Sequence, residues 1–579
     1  MDQKIIENAK LWGSDPYFSE ADRSEISKLL ENVSANEMDL TERFYRDLEF
    51  GTGGLRAPMG MGQNRMNKYN VRRATQAMSN TILKHFGKSG QPLSAVISYD
   101  SRNNSKSFAL EAAGVFAANG IKAYVFNALT PTPMLSYGVR YYKAQGGIMI
   151  TASHNPPIYN GFKAFWNDGA QVVPPMDKEI IDAYNGLTNW GHVKHMSFEE
   201  AQAKGLALYT DEKVDEAFYK VIEAKVIQDM DLCKKSGSEL SIVYTALHGT
   251  GQVPCTEIAH RLGFTKFYSI PEQALPDGNF ITVKSPNPED PKALALAVDY
   301  MIKNNADIVY GTDPDCDRLG VVINHHGKPF YLNGNQIGAL MLYYIFSTKT
   351  KNKTLPSKPL VLKSIVTSPI QNAIVEHFGG EVMDTLTGFK WMAAKIQELE
   401  VAKSPYNFVF ASEESFGYMP HAESRDKDGV SSVALMSEVA LYFKKQGKDL
   451  SEALDEIYEK FGFFFETLVS NDYEGIPGTQ KISRIMEYFR HYPESNFAGE
   501  EIVSKEDYEK GINLPKSNVL SFTFKSGNRL FLRPSGTEPK IKFYVMVRET
   551  QGDLATKKIN ALEKVKVIED KVKELCEKA

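Results

Sequence analysis

The apolar run GGIMI at 146–150 ends in Thr151-Ala152-Ser153-His154-Asn155-Pro156. A proline-closed turn with a capping hydroxyl accounts for some of that stretch, but it needs neither the serine nor the histidine. Further on, GTDPDCDRLG at 311–320 sets Asp313, Asp315 and Asp317 at alternate positions between two apolar runs. Carboxylates so spaced repel one another unless a cation sits among them. Their hard oxygens suit Mg²⁺ or Mn²⁺ rather than zinc. An EF-hand is excluded, because Arg318 stands at its glycine position and Asn324 at its bidentate glutamate position. An open position on such a metal takes a further anionic oxygen, and a phosphorylated Ser153 would supply one. A hydroxyl that carries a phosphoryl group divides one difficult transfer into two easier ones, with the metal offsetting charge on the transferred group.

Other stretches offer partners for that chemistry. Lys163, ten residues past the serine, suits general acid/base work on a sugar hydroxyl if its surroundings lower its pKa. His154 competes for that role or orients the phosphoserine. Arg318, beside the carboxylates, suits a phosphate shared with the metal. TLTGFKW at 385–391 puts Thr387 and Lys390 around Gly388, an arrangement that can bind an anion. ASEESFGYMPHAESRDKDG at 411–429 follows an apolar run, with Glu413 and Ser415 fitted to sugar hydroxyls and Arg425 and Lys427 to phosphate. RPSGTEPKIK at 533–542 packs Arg533, Ser535, the Gly536 backbone and Thr537 into one nest of phosphate donors, with Lys540 close behind.

The elements that must hold these groups are alternating. LSAVISYD, IKAYVFN, GGIMITAS, SIVYTALHG, ADIVYGTD, PLVLKSIVTS and NFVFASEES are β-rich runs separated by helical stretches. That order predicts α/β layers with largely parallel sheets and functional groups where strands end. LSFTFKSG, NRLFLRPSG and KIKFYVMV, followed by a lysine-rich helix, predict a C-terminal antiparallel α+β domain instead. Boundaries fall near 208, 324 and 459, giving domains 1–208, 209–324, 325–459 and 460–579. Residues 1–45 are charged and helix-patterned, with no legible chemistry. The three α/β blocks have the look of distant copies of one unit.

The totals narrow the class. The chain has 579 residues, 42% hydrophobic and 24% charged, with a net charge of −5. At about 150 residues per domain the length suggests about four domains. So weak a field holds neither nucleic acid nor an anionic membrane by itself. Cys233, Cys255, Cys316 and Cys576 form no C-x-x-C pair, which argues against a disulfide framework or zinc site. The sequence MDQKIIENAKLWGSDPYF has no apolar signal core, and stretches such as GALMLYYIF at 338–346 fall short of a bilayer span. A cytoplasmic protein is expected.

Together these stretches resemble the α-D-phosphohexomutase superfamily, which includes phosphoglucomutases and phosphomannomutases. The similarity runs from EFGTGGLRAPMG (49–60) to RPSGTEPK, with TASHNP as the phosphoserine loop, DPDCDR the Mg²⁺ loop, SEESFG the sugar loop and RPSGTEPK the phosphate loop. It implies four domains around a central cleft, three α/β with mixed sheets and a C-terminal α+β domain that closes over substrate. Ser153 then becomes the phosphorylated nucleophile and a metal ligand with Asp313, Asp315 and Asp317. Arg56, Arg318, Thr387, Glu413, Ser415 and Lys427 match contacts to the bisphosphate sugar, and Lys163 and Lys390 match lysines at the reacting centre. Two departures stand out: Ser412 replaces the usual glycine of the sugar loop, and Tyr418 follows Gly417 where some members carry histidine. EESFG sides with the phosphoglucomutase version, and GTGGLR with a long branch that also holds phosphopentomutases and a glucose-1,6-bisphosphate synthase. The implied reaction interconverts glucose 1-phosphate and glucose 6-phosphate, with Mg²⁺ and glucose 1,6-bisphosphate as cofactor and intermediate. Its partners are small sugar phosphates, not nucleic acid or membrane, and the chain is expected as a monomer or weak homo-oligomer. Phosphopentomutase, phosphomannomutase and the bisphosphate synthase are the alternatives.

Overall fold

In a computed structural model, which describes residues 2–51, 53–473, 475–535 and 540–579, GGIMI is the strand Gly146–Ile150 and is buried at every position. It lies within a six-stranded sheet in the order Gly54–Pro58, Tyr159–Trp166, Gly146–Ile150, Ser94–Tyr99, Lys122–Val125, Ala207–Tyr209. The last four strands are parallel, and Tyr159–Trp166 runs antiparallel to both of its neighbours. Ile97, Ile148, Ile150 and Phe162 from the sheet share one core with Phe116 and Ala113 from a covering helix. A second, five-stranded sheet repeats the plan: Ile242–Thr245, Phe267–Ser269 and Ile308–Thr312 are parallel, and Leu319–His325 and Lys328–Leu332 turn antiparallel. In each sheet one central strand runs straight into an antiparallel neighbour. The intervening turns are residues 151–158, with the serine, and 313–318, with the three aspartates.

Both sheets belong to one compact unit, Met1–Asn333 with Phe389–Ser404 and Ser415–Tyr442. Residues 1–45, silent on chemistry in the sequence, form helices Gln3–Ser14, Glu20–Glu31 and Glu37–Phe44. Trp12, Phe18 and Phe44 join Tyr69 and Trp190 in a separate aromatic core. The Tyr69 hydroxyl accepts from the Ser19 N–H at 2.7 Å and donates to Asp22 at 2.6 Å.

The second unit, Gly334–Gly388 with Pro405–Glu414 and Phe443–Ala579, holds a parallel sheet and the C-terminal sheet. In the former, Pro359–Ser364 lies between Glu381–Thr385 and Asn407–Glu413, all parallel. The latter is wholly antiparallel: Phe463–Asp472, Lys540–Glu549, Arg529–Pro534, Leu520–Phe524, Glu500–Asp507, Asn496–Phe497. The expected change from α/β to antiparallel α+β is therefore present. Among the described residues no helix is long and apolar enough to cross a membrane.

Glu466 ties these two sheets together. Ser368 Oγ bonds one carboxylate oxygen and Asn335 Nδ2 the other at 3.3 Å. Burial pushes the Glu466 pKa up to about 7, against the pull of those donors and of Lys363. A carboxyl raised on folding is held protonated by the fold, so its contribution is full below the unfolded pKa, about 4.3, and is lost as pH rises through the folded value. Glu466→Gln removes that penalty. The variant should match the wild type near pH 4 and exceed it near pH 8 by about 1–3 kcal/mol, read from urea unfolding at both pH values. Parallel stability curves would contradict the assignment.

Candidate active site

Ser153 sits at the top of its strand in the left-handed region, φ 51°, a conformation that costs a non-glycine residue about 1–3 kcal/mol. The turn that holds it there is wired through Thr151, whose Oγ1 accepts the Ser153 N–H at 2.8 Å and donates to Asp100 at 2.6 Å. The strain aims the hydroxyl at the second sheet: Ser153 Oγ donates to Asp313 Oδ2 at 2.8 Å, across 160 residues of sequence. His154 Nδ1 lies 3.3 Å from the same oxygen. Burial, then Arg318 and Arg56, hold the His154 pKa well below the ordinary histidine value. The imidazole is neutral at pH 7, able to accept or relay a proton but not to act as a cation.

Asp313, Asp315 and Asp317 are all buried, and their ligand oxygens lie within 4.8 Å of one another. Asp313 Oδ1 accepts the N–H groups of Asp317 at 3.1 Å and Arg318 at 3.2 Å. Asp315 Oδ2 accepts from Thr132 Oγ1 at 2.8 Å and Lys163 Nζ at 2.6 Å. Lys163 also reaches Asp317 at 3.2 Å, and Lys427 Nζ reaches it at 3.1 Å. Burial and the neighbouring Asp317 and Asp315 push the Asp313 pKa well above the carboxylate range. Burial acts on Asp317 the same way, but Lys427, Lys163 and Arg318 overcome it and hold Asp317 far below that range. The residues fit a hard divalent cation. Oδ1 of Asp315 and Oδ1 of Asp317 are buried without a hydrogen-bond partner, an arrangement costly unless such atoms ligate something.

Beneath the aspartates runs the loop His248-Gly249-Thr250-Gly251. A Cβ on Gly249 would fall 2.4 Å from Pro314 Cα, and one on Gly251 would fall 2.9 Å from Cys316 Sγ. The Thr250 N–H donates to the Pro314 carbonyl at 2.8 Å. This underlay was not singled out from sequence; its signal was a glycine pair directly after the strand that ends at Thr245. Asp100 and Arg102 were likewise missed, though D-x-R directly follows the strand Ser94–Tyr99.

The expectation for Lys163 needs correction. Burial pulls its ammonium down, but Asp315 and Asp317 outweigh that and leave its pKa above the ordinary lysine value. The depressed lysine is Lys390, lowered by burial with Asp177 only partly opposing. Arg425 also departs from the phosphate-facing role. Its guanidinium is sealed from solvent and bonded to Glu400 at 2.6 Å, and its backbone N–H donates to Ser136 Oγ. Arg56 is exposed and steadies the serine loop through Asn155 Oδ1 at 3.0 Å. Arg318 pairs with Glu289. Ser415, half-buried, lies in the same unit.

The second unit carries its own cluster. The Gly388 N–H donates to Glu413 at 2.5 Å beside the half-buried Thr387, and Gly388 itself adopts φ 116°, open only to glycine at low cost. Burial and Glu413 push the Glu414 pKa up to about 7, with Arg533 acting in the opposite sense. Arg533 is the penultimate residue of the strand Arg529–Pro534, and the Ser535 N–H closes onto the Lys540 carbonyl at 2.8 Å. Gly536 and Thr537 lie outside the described residues.

A serine held against a buried, cation-balanced carboxylate triad is equipped for metal-assisted phosphoryl transfer. Family models for the phosphoglucomutase/phosphomannomutase α/β/α domains I, II and III match residues 47–189, 217–327 and 333–461. A phosphoglucomutase of Staphylococcus epidermidis is 34% identical over 554 residues, covering 93% of this chain and 97% of its own. One from Staphylococcus aureus is 35% identical over 540 residues, covering 91% and 94%. Among solved structures, the open form of the Paramecium phosphoglucomutase parafusin superposes with a TM-score of 0.69 at 18% identity, covering 92% of this chain and 96% of that one. A phosphoglucomutase/phosphomannomutase family protein from Burkholderia thailandensis gives 0.62 at 18%, covering 91% and 96%. The chain belongs to the phosphoglucomutase/phosphomannomutase family of the α-D-phosphohexomutases.

Proposed function

We propose that the protein is a phosphoglucomutase that interconverts α-D-glucose 1-phosphate and glucose 6-phosphate through phospho-Ser153 and glucose 1,6-bisphosphate. The observation that carries this is the 2.8 Å contact of Ser153 Oγ with Asp313 inside the buried triad. The Staphylococcus relatives and the EESFG sequence at 413–417 support the choice of sugar. Asp313, Asp315 and Asp317 would hold Mg²⁺, which when bound supplies charge neutralisation for the transferred group.

The chain's own groups do the rest. A sugar hydroxyl attacks the phosphorus of phospho-Ser153, the P–Oγ bond breaks, the hydroxyl proton passes to a neighbouring base, and the departing Ser153 Oγ takes up a proton in exchange. Neutral His154 and Lys390, with its depressed pKa, are suited to that proton. Lys163, Lys427 and Arg318 hold positive charge where the phosphoryl oxygens gather it. Glu413 and Ser415 grip sugar hydroxyls, Arg56 and Thr387 contribute to binding, and Arg533, Ser535, Gly536 and Thr537 hold the phosphate that is not reacting. The bisphosphate then turns over and its other phosphate returns to Ser153. Domains 1–208, 209–324, 325–459 and 460–579 would share these tasks in a cytoplasmic monomer or weak homo-oligomer.

The test is kcat/KM for glucose, mannose and ribose 1-phosphates under a common bisphosphate primer. Mannose differs at the 2-hydroxyl, away from the grip on the 3- and 4-hydroxyls, and should be a poorer substrate than glucose. Ribose leaves a buried partner unpaired and should fall about 5- to 150-fold below glucose. Ribose ahead of both hexoses would make the protein a phosphopentomutase.

A further inference from the structure

Arg102 stands three residues past the strand Ser94–Tyr99, with its side chain wholly buried. It spends its guanidinium on the serine turn. Nη2 donates to the carbonyls of Ser153 at 2.6 Å and Asn155 at 2.5 Å, and Nη1 to those of Pro156 at 2.9 Å and Tyr159 at 3.0 Å. Asp100 Oδ2 lies 3.2 Å from Nε, and the Phe280 ring covers the guanidinium at 4.9 Å. We propose that Arg102 is a positioning residue for phosphoryl transfer, closing the turn 153–159 so that Ser153 stays left-handed with its Oγ on Asp313. This rests on the phosphoserine reading above.

The geometry explains why arginine is needed. A turn that forces Ser153 to φ 51° converges four carbonyl dipoles on one side. Left alone they repel one another, and the Tyr159 N–H, at 3.1 Å, serves the Pro156 carbonyl alone. One planar fork satisfies all four at once, with charge-assisted bonds of fixed direction. Lysine presents a point charge with three donors and cannot span the set. The carboxylate of Asp100 also accepts from Thr151, so the fork and the Thr151 bond to the Ser153 N–H grip the residue from both sides. Sealed from solvent as they are, the Arg102 and Asp100 side chains act through the placement of one oxygen.

The experiment compares wild type with Arg102→Lys and Phe280→Leu. Three quantities are read: steady-state kinetics on glucose 1-phosphate, the rate of Ser153 phosphorylation by glucose 1,6-bisphosphate, and amide hydrogen exchange of residues 152–159. For Arg102→Lys, kcat should fall about 100-fold, as a misplaced reacting group costs, while KM changes less than about 3-fold. Phosphorylation should slow by the same factor, and exchange should quicken in 152–159 but not in 313–318. Phe280→Leu loosens the seat of the fork and should lower kcat about 5-fold with the same pattern. A folded Arg102→Lys with unchanged kcat, a rise confined to KM, or exchange quickened evenly across the unit would overturn the proposal. If Arg102→Lys does not fold, Phe280→Leu decides, and wild-type kinetics and exchange there would overturn it. If wild type itself takes no phosphate from the bisphosphate, the mutase reading fails, and the exchange pattern still decides whether Arg102 sets the turn.

Discussion

Ser153→Ala is expected to lose at least about 10³-fold in turnover, the scale of removing a covalent nucleophile. The phosphorylated peptide spanning TASHNP should disappear with it. Alanine bears the same left-handed backbone cost as serine, so the turn and its carbonyl contacts have no reason to change. What goes is the donor to Asp313, a carboxyl that burial already pushes toward its protonated form. The melting temperature should therefore stay close to wild type while activity collapses. Peptide mapping by mass spectrometry, run beside the coupled assay, reads both. Phosphate found only elsewhere, with an active alanine variant, would remove Ser153 from the chemistry.

Asp315→Asn should abolish Mg²⁺-dependent activity, and here the structure reverses the stability expected from sequence alone. Three unaccompanied aspartates would relax on losing a charge. These three are accompanied by Lys163, Lys427 and Arg318, so the cluster is close to balanced. Removing the Asp315 charge leaves the buried Lys163 ammonium with Asp317 as its remaining carboxylate. Breaking one side of a buried pair is destabilising, by about 1–3 kcal/mol where the amide keeps an acceptor. The metal-free variant should thus unfold at lower urea than wild type, and titration with Mg²⁺ should restore less of the loss. A metal-free variant as stable as wild type would show that Lys163 is not held by Asp315.

Much of the architecture, and the two turns that bring Ser153 to the aspartates, were legible because their signals are local in sequence. Ser153 and the aspartates each lie at a strand end marked by an apolar run and a polar break, and the change to antiparallel pairing at the C-terminus shows in the alternation of LSFTF and RLFLR. The long-range charges were not legible. Lys163 meets Asp315 across 152 residues, and that contact raises a pKa that the general-base role required to fall. Arg425 reads as a phosphate donor in SRDKDG, yet its ion pair with Glu400 and the backbone bridge to Ala170 take it inside. Helix pattern alone could not reveal residues 1–45 as an aromatic cap, because its closing partner, Trp190, is far along the chain.

The two reactive turns are each stitched into a sheet on both sides. Ile150 pairs with Phe162 around the serine, and Thr312 with Leu319 around the aspartates. A turn joining strand to helix can pivot about its helical end, as active-site lids do. A turn bounded by two hydrogen-bonded strands has no free end on which to swing. Ser153 and the carboxylates therefore form a fixed anvil, and on the proposed mechanism whatever rearranges during a catalytic cycle is the sugar phosphate and the groups borne outside these two sheets. If the proposed bisphosphate intermediate forms, turnover would accordingly respond to solvent viscosity through the tumbling of that intermediate rather than through any flexing of the serine loop.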